Sequence, residues 1–224
     1  MPLIKNPRYL RHFKKGKIEP ISPKEFYEAL EKIKAPYHVE RLMKDYFLLL
    51  YWTGRRPVEI LDLKGEDFRA TTLKDQDGTW KDYLSIQTHT KKGGKEVEIF
   101  LIFDQIPQLR NLWERLQGCP SDFVVFWLLR TTGNCTLKWV TKEGEERTKT
   151  YLEPSKKIWY WANKYFGVPP YFFRHSRFSS MVRDGSSFED IKIFKGAKTM
   201  SSVECYISPD EAKLKELGGR LKAD

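Results

Sequence analysis

Apolar residues recur at helical spacing in several stretches of this chain. From about Val39, the residues Leu42, Tyr46, Leu49 and Leu50 fall on one face of a 3.6-residue period, predicting a helix that ends in Tyr51-Trp52-Thr53-Gly54. Ahead of it, Ser22-Pro23-Lys24-Glu25 supplies a capping hydroxyl, a proline at the first helical position and a glutamate at the third. That is a helix start, and a helix to about Ile33 is expected. The period shortens to two in Glu96-Val97-Glu98-Ile99-Phe100-Leu101, so Thr79–Gln87 and Lys95–Phe103 read as strands of a hairpin turning at Thr90-Lys91-Lys92-Gly93-Gly94. Ile106–Leu116 is helical again. Phe123–Leu128 and Lys138–Tyr151 are β-like or irregular, with a turn at Lys142-Glu143-Gly144-Glu145. Pro154–Phe166 reads as an amphipathic helix whose Trp159, Trp161, Tyr165 and Phe166 are expected in the core, with base stacking as the alternative. An apolar helical run starts at Tyr171 and breaks at Asp184-Gly185; a second reaches Phe194 and stops at Gly196. The tail, residues 209–224, is helix-compatible with Leu214 and Leu217 as its apolar face, and either folds back or docks onto a neighbouring subunit. The pattern is that of a mainly α fold with a small antiparallel β-sheet, without internal repeats or an evident linker.

Composition narrows the partners. With 224 residues, 40% hydrophobic and 14% aromatic, the chain can bury a sizeable core. Lysine and arginine number 40 against 30 acidic residues, a net charge of +10 that favours a polyanionic partner. The first 20 residues are basic and proline-punctuated, a solvated leader or a DNA-touching arm. The cysteines, Cys119, Cys135 and Cys205, have no CxxC spacing, and the four histidines are scattered. No zinc site is offered, and a reducing compartment is expected. The longest apolar runs are too short to span a bilayer, and the N-terminus has no apolar signal segment. A cytoplasmic protein is the expectation, and composition alone names neither a cofactor nor a definite partner.

The candidate chemistry is phosphoryl transfer. Arg55-Arg56-Pro57 follows Thr53-Gly54 and opens an amphipathic helix, where guanidinium charge meets a helix N-terminus. A second basic cluster, Arg174-His175-Ser176-Arg177, lies in the run from Tyr171, and Tyr206 stands ten residues beyond Gly196. Fixed guanidinium groups suit the equatorial oxygens of a reacting phosphate, and a phenol can attack phosphorus.

These residues together resemble the tyrosine recombinases, the phage-integrase family, over roughly Ser22 to Ser208. Thr53-Gly54-Arg55-Arg56-Pro57-Val58-Glu59-Ile60-Leu61-Asp62-Leu63 is similar to the family's first arginine box, with Arg56 on the catalytic arginine and Glu59 on the acidic residue. Arg174-His175 matches the Arg-His pair of the second box, Gly185 the helix-ending glycine, Gly196 the glycine that follows, and Tyr206 the nucleophile. The resemblance implies a recombinase catalytic-domain fold at residues 21–208, between a leader or linker (1–20) and a tail (209–224). It also implies metal-free attack by Tyr206 on a DNA phosphodiester, giving a 3′-phosphotyrosyl bond and a free 5′-hydroxyl. Arg56 and Arg174 would hold the non-bridging oxygens. Lys92 on the hairpin would protonate the leaving oxygen, with Lys91 as runner-up and Lys95 as a backbone contact. Arg55, Lys91, Lys95 and Arg177 are expected against double-stranded DNA, and a homo-tetramer on paired sites is the implied assembly.

Two positions depart from the family pattern. Its first histidine is replaced by Tyr171, and the histidine after Gly196 by Ala197. Tyr171 can donate one hydrogen bond to a phosphate oxygen but is a poor base at neutral pH. His175 or Lys198 would have to support the site; His175 is equally readable as a core histidine. Archaeal members are similar in lacking the first histidine. The roughly 20 residues before Ser22 are too few for the separate N-terminal helical domain common in the family, so an isolated catalytic domain or a minimal member is expected. The rival expectations are a type IB topoisomerase, sharing the chemistry, and a DNA-binding protein that has lost catalysis. All of this requires Arg56 and Arg174 to meet.

Overall fold

A computed structural model describes residues 20–35, 37–75, 77–89, 96–130, 134–140, 146–197 and 199, together with the paired residues 13–14 and 17–18. Lys91, Lys92, Lys95, Lys198, Tyr206 and the 209–224 tail lie outside the described residues. Within the expected leader, β1 (Phe13–Lys14) pairs antiparallel with β2 (Lys17–Ile18).

Ser22 caps α1 (Pro23–Glu31) as its sequence predicts: the Ser22 hydroxyl accepts from the Glu25 N–H at 3.2 Å, and the Glu25 carboxylate accepts from the Ser22 N–H at 3.1 Å. Phe26, Ala29 and Leu30, spaced three and four apart, bury that helix's one apolar stripe. The next helix, α2 (Tyr37–Thr53), is different. Its residues Tyr46–Leu50 are buried on every side, so it is the central strut rather than a surface helix. The rings of Phe26 and Tyr51 stack at 4.0 Å, and Phe47, Phe166 and Phe173 close an aromatic cluster around them. Such pairs add to the burial of apolar area, the dominant favourable term in folding.

The short α3 (Pro57–Leu61) leads to a three-stranded antiparallel sheet in the order β3 (Phe68–Lys74), β4 (Trp80–His89), β5 (Glu96–Ile102). Leu84 and Ile86 of β4 alternate inward with Ile99 and Leu101 of β5. Strand β3 has no counterpart in the sequence expectation. Phe68 is its one fully buried residue, so it carries no alternation to read, and pairing with β4 defines it. Beyond α4 (Gln108–Leu116), the stretch at 123–128, read as β-like or irregular, is irregular. It makes a single bridge, Lys64 to Val124, then coils into α5 (Trp127–Arg130), with Val125, Phe126 and Leu129 inside.

β6 (Asn134–Val140) and β7 (Glu146–Leu152) form a second hairpin. Next, α6 (Glu153–Trp161) widens into a π turn over Ala162–Phe166. Its buried stripe is Ile158, Ala162 and Phe166, while Trp159, off that stripe, is 45% exposed. The expectation of Trp159 in the core is therefore corrected. Finally α7 (Tyr171–Arg183) packs on α2, and α8 (Phe188–Lys195) follows after the break at Asp184-Gly185. Among the described residues no helix is long and apolar enough to cross a membrane, and no cluster of His, Cys, Asp or Glu could hold a metal ion.

Candidate active site

The site is built on the turn between α2 and α3 and on the first turns of α7. Gly54 ends α2 at φ +60°, a left-handed conformation that suits glycine, and its N–H reaches the Leu50 carbonyl at 3.2 Å. Thr53, also buried, donates its hydroxyl to the Leu49 carbonyl at 2.6 Å and accepts from the Arg55 N–H at 3.2 Å. The chain is thereby turned so that Arg56 becomes the residue capping α3. The Tyr46 hydroxyl pins the next residue by donating to the Pro57 carbonyl at 2.9 Å.

Glu59, 3% exposed, accepts from the Arg56 backbone N–H at 2.9 Å and from Arg56 Nη1 at 2.7 Å. One carboxylate thus caps the helix and fixes the guanidinium. Partial burial opposes the Arg56 charge, but the hydrogen bonds and charge of Glu59, aided by Tyr171, more than offset it and raise the Arg56 pKa. The Tyr171 side chain, 49% exposed, lies at the start of α7, near enough to the Arg56 guanidinium to favour its charge. Its phenol can donate one hydrogen bond.

Arg174, one turn along α7 from Tyr171, is 4% exposed and donates from Nη1 to the Gly54 carbonyl at 2.8 Å. This bond spans 120 positions of sequence. From Nη2 it reaches the carbonyl of Lys195, the last residue of α8, at 3.4 Å, and its guanidinium lies 4.8 Å from the Phe178 ring centre. A helix C-terminus bears partial negative charge, which favours a cation there. Arg56 and Arg174 are thus brought to the same turn, one as part of it and the other bonded to it.

Arg55 and Arg177, expected to face DNA, are placed otherwise. Arg55 is completely buried, donates from Nη1 to the Lys195 carbonyl at 3.4 Å, and lies 5.8 Å from the Phe194 ring centre. Burial, then the like charge of Arg174, pushes its pKa down to about 10. It remains charged at neutral pH, and it offers no face to a DNA backbone. Arg177 is half-buried, its guanidinium 5.5 Å from Trp52 and 5.7 Å from Phe194. Burial lowers its pKa as well. His175 is also half-buried; desolvation first, then the charges of Arg174 and Lys195, hold its imidazole below the usual range and hence neutral at pH 7. Ser176, a neighbour in the same motif, is structural, since its hydroxyl accepts from the buried Ile21 N–H at 2.7 Å.

Sequence reading missed three participants. Two are backbone carbonyls, those of Gly54 and Lys195, which carry no side-chain signature. The third is the interior position of Arg55, for which the flanking Thr53-Gly54 turn was the one available signal. Around the turn, Arg55, Arg56, Arg174 and Arg177 gather with Glu59 as the buried carboxylate among them. That excess of positive charge suits a phosphodiester anion.

No family model and no curated protein matches the sequence. Solved structures match the fold. The XerH site-specific recombinase bound to its difH substrate, in a pre-cleavage complex, superposes with a TM-score of 0.59 at 16% identity, over 90% of this chain and 52% of that one. The XerA recombinase gives 0.54 at 18% identity, over 92% and 65%. The Tn1549 transposon integrase in complex with transposon right end DNA gives 0.55 at 13%, over 96% and 70%. The chain spans about half the length of the XerH recombinase it matches. Its fold is that of a tyrosine recombinase catalytic domain.

Proposed function

We propose that this chain is the catalytic part of a site-specific DNA recombinase or integrase, which cleaves and rejoins strands through a 3′-phosphotyrosyl intermediate. The observation that carries the reading is the convergence of Arg56 and Arg174 on the Gly54–Pro57 turn, with Tyr171 nearby. Both guanidinium groups are fixed before any substrate arrives, by Glu59 in one case and by two backbone carbonyls in the other. Pre-oriented donors of this kind stabilise developing charge without reorganising during the reaction. The fold shared with DNA-bound recombinases supports the same conclusion.

In this mechanism Arg56 and Arg174 hold the non-bridging oxygens of the scissile phosphate, and Tyr171 donates its phenolic proton to one of them. Tyr206 loses its phenolic proton to solvent, the phenolate being favoured by the charges of Arg56 and Arg174; its oxygen then bonds to phosphorus as the bond to the 5′-oxygen breaks, and Lys92 protonates that leaving oxygen. Rejoining to a partner strand gives recombination, carried out by a homo-tetramer on two paired double-stranded sites. Neutral His175 supports the site from within α7.

The test is a nicked suicide DNA substrate incubated with wild type and Tyr206→Phe, followed by a denaturing gel. Wild type should show a band shifted by the covalently attached fragment, and the mutant none. An identical shift in both moves the nucleophile elsewhere. No shift in either, with DNA bound, leaves a DNA-binding protein without catalysis. A relaxed supercoiled plasmid without a Holliday-junction product marks a topoisomerase.

A further inference from the structure

Arg55 is a poor choice for stability where it stands. Its side chain is completely buried, yet Nε and Nη2 have no hydrogen-bond partner among the described residues. Its one bond, from Nη1 to the Lys195 carbonyl, is long at 3.4 Å and shares that acceptor with Arg174. The two like charges oppose one another, and burial and that repulsion together depress the Arg55 pKa. Glu59 is the carboxylate whose charge favours Arg55, but its oxygens already serve the Arg56 N–H and guanidinium. An unbranched apolar side chain would fill the same space beside Phe194 without orphaned donors. A residue that breaks local rules without a stabilising return marks a functional constraint.

The constraint can be read from what Arg55 joins. Its backbone lies between Gly54 and Arg56, and its guanidinium reaches the last carbonyl of α8. Immediately after that carbonyl, Gly196 turns the chain out of the helix at φ +66°, and Tyr206 comes ten residues later in the sequence. We propose that Arg55 is a positioning residue: with Arg174 it ties the end of α8 to the Arg56 turn, fixing where the segment carrying Tyr206 departs relative to the two phosphate-holding arginines. It acts through Arg174 and the Lys195 carbonyl and does not touch DNA. The inference rests on the recombinase reading above.

Arg55→Met and Arg55→Lys test it, with melting temperature, DNA affinity and adduct formation on the suicide substrate at saturating DNA as readouts. Arg55→Met should melt about 3 °C higher than wild type because the orphaned donors and the repulsion are gone. It should bind DNA as wild type does and cleave about 100-fold more slowly, the scale of loss for a displaced reacting group. Arg55→Lys, which keeps a charge and a donor for Lys195, should recover part of the rate without the gain in melting temperature. A lower melting temperature for Arg55→Met makes the residue a packing element and overturns the proposal. So does cleavage at the wild-type rate, or a loss confined to DNA affinity. If Arg55→Met does not fold, Arg55→Lys decides: unchanged adduct formation at saturating DNA overturns the proposal, and slowed formation with intact binding sustains it. A wild type that binds DNA but forms no adduct removes the recombinase reading, and this inference falls with it.

Discussion

On Arg56 two opposing effects meet, and the carboxylate beneath it decides the outcome. Partial burial disfavours the charge, whereas Glu59, with no exposed side-chain surface, accepts both the backbone N–H and Nη1 of Arg56. Glu59→Gln keeps the shape but removes the charge, and should lower stability by about 1–3 kcal/mol, the range for an impaired buried hydrogen bond. Urea denaturation measures that loss, and adduct formation should slow as well because the guanidinium is no longer held in one orientation. At Tyr171 the expectation is narrower. Tyr171→Phe removes the phenolic hydroxyl, and with it the proton offered to phosphate, while keeping the ring. Cleavage should slow about 10-fold, the equivalent of one hydrogen bond in the transition state, with DNA affinity little changed. An unaltered single-turnover rate would exclude Tyr171 from the chemistry.

Two helices have ends that serve as parts of the site. The α2 terminus depends on Gly54, where a β-carbon would lie 3.1 Å from Cγ of Arg177 and the backbone is left-handed. Gly54→Ala should therefore cost about 1 kcal/mol or more in stability. It should reduce cleavage further, since the Gly54 carbonyl is the acceptor for Arg174. Thermal melting and suicide-substrate kinetics on the same preparation check both. At the other side of α7, Ser176 and the Tyr51 hydroxyl hold the N–H and carbonyl of Ile21, at 2.7 and 2.9 Å. Ser176→Ala orphans a buried N–H and should destabilise by about 1–3 kcal/mol, yet leave the cleavage rate per folded molecule intact. That contrast separates the structural residue of the Arg-His-Ser-Arg motif from the arginine two positions before it.

Over the whole molecule, charge governs the response to salt and pH. With a net charge of +10, affinity for duplex DNA should fall steeply with salt. A site engaging about six phosphates loses about 10³-fold between about 50 and 200 mM, which fluorescence anisotropy can follow. Folding should weaken on acidification for a local reason. The His175 pKa is depressed in the folded state by burial, Arg174 and Lys195. Below about pH 6.5 the unfolded chain takes up a proton there that the folded chain resists, so stability falls as pH drops through that value. Above it both states are neutral and the contribution is fully retained. His175→Gln should flatten this limb in denaturation curves measured from pH 7.5 to 5.5.

Local patterns alone determined much of this protein. The Ser22–Glu25 capping box, the Thr53-Gly54 stop, the break at Asp184-Gly185 and the Gly196 cap depend on bonds within a few residues, and each stands where its sequence predicts. The alternation in β5 located the β4–β5 hairpin for the same reason. Features without a local cause were not legible. Strand β3 exists through its partner's backbone, and Trp159 is exposed because α6 packs on the stripe of Ile158, Ala162 and Phe166, which Trp159 lies outside. The two arginine motifs could be found by reading; what Arg55 does could not. Only the packing of α7 and α8 against the Gly54–Pro57 turn leaves the Arg56 guanidinium partly open to solvent and seals that of Arg55 against the Lys195 carbonyl. Burial and acceptor geometry are properties of the assembled chain, and neighbouring residues in sequence do not carry them.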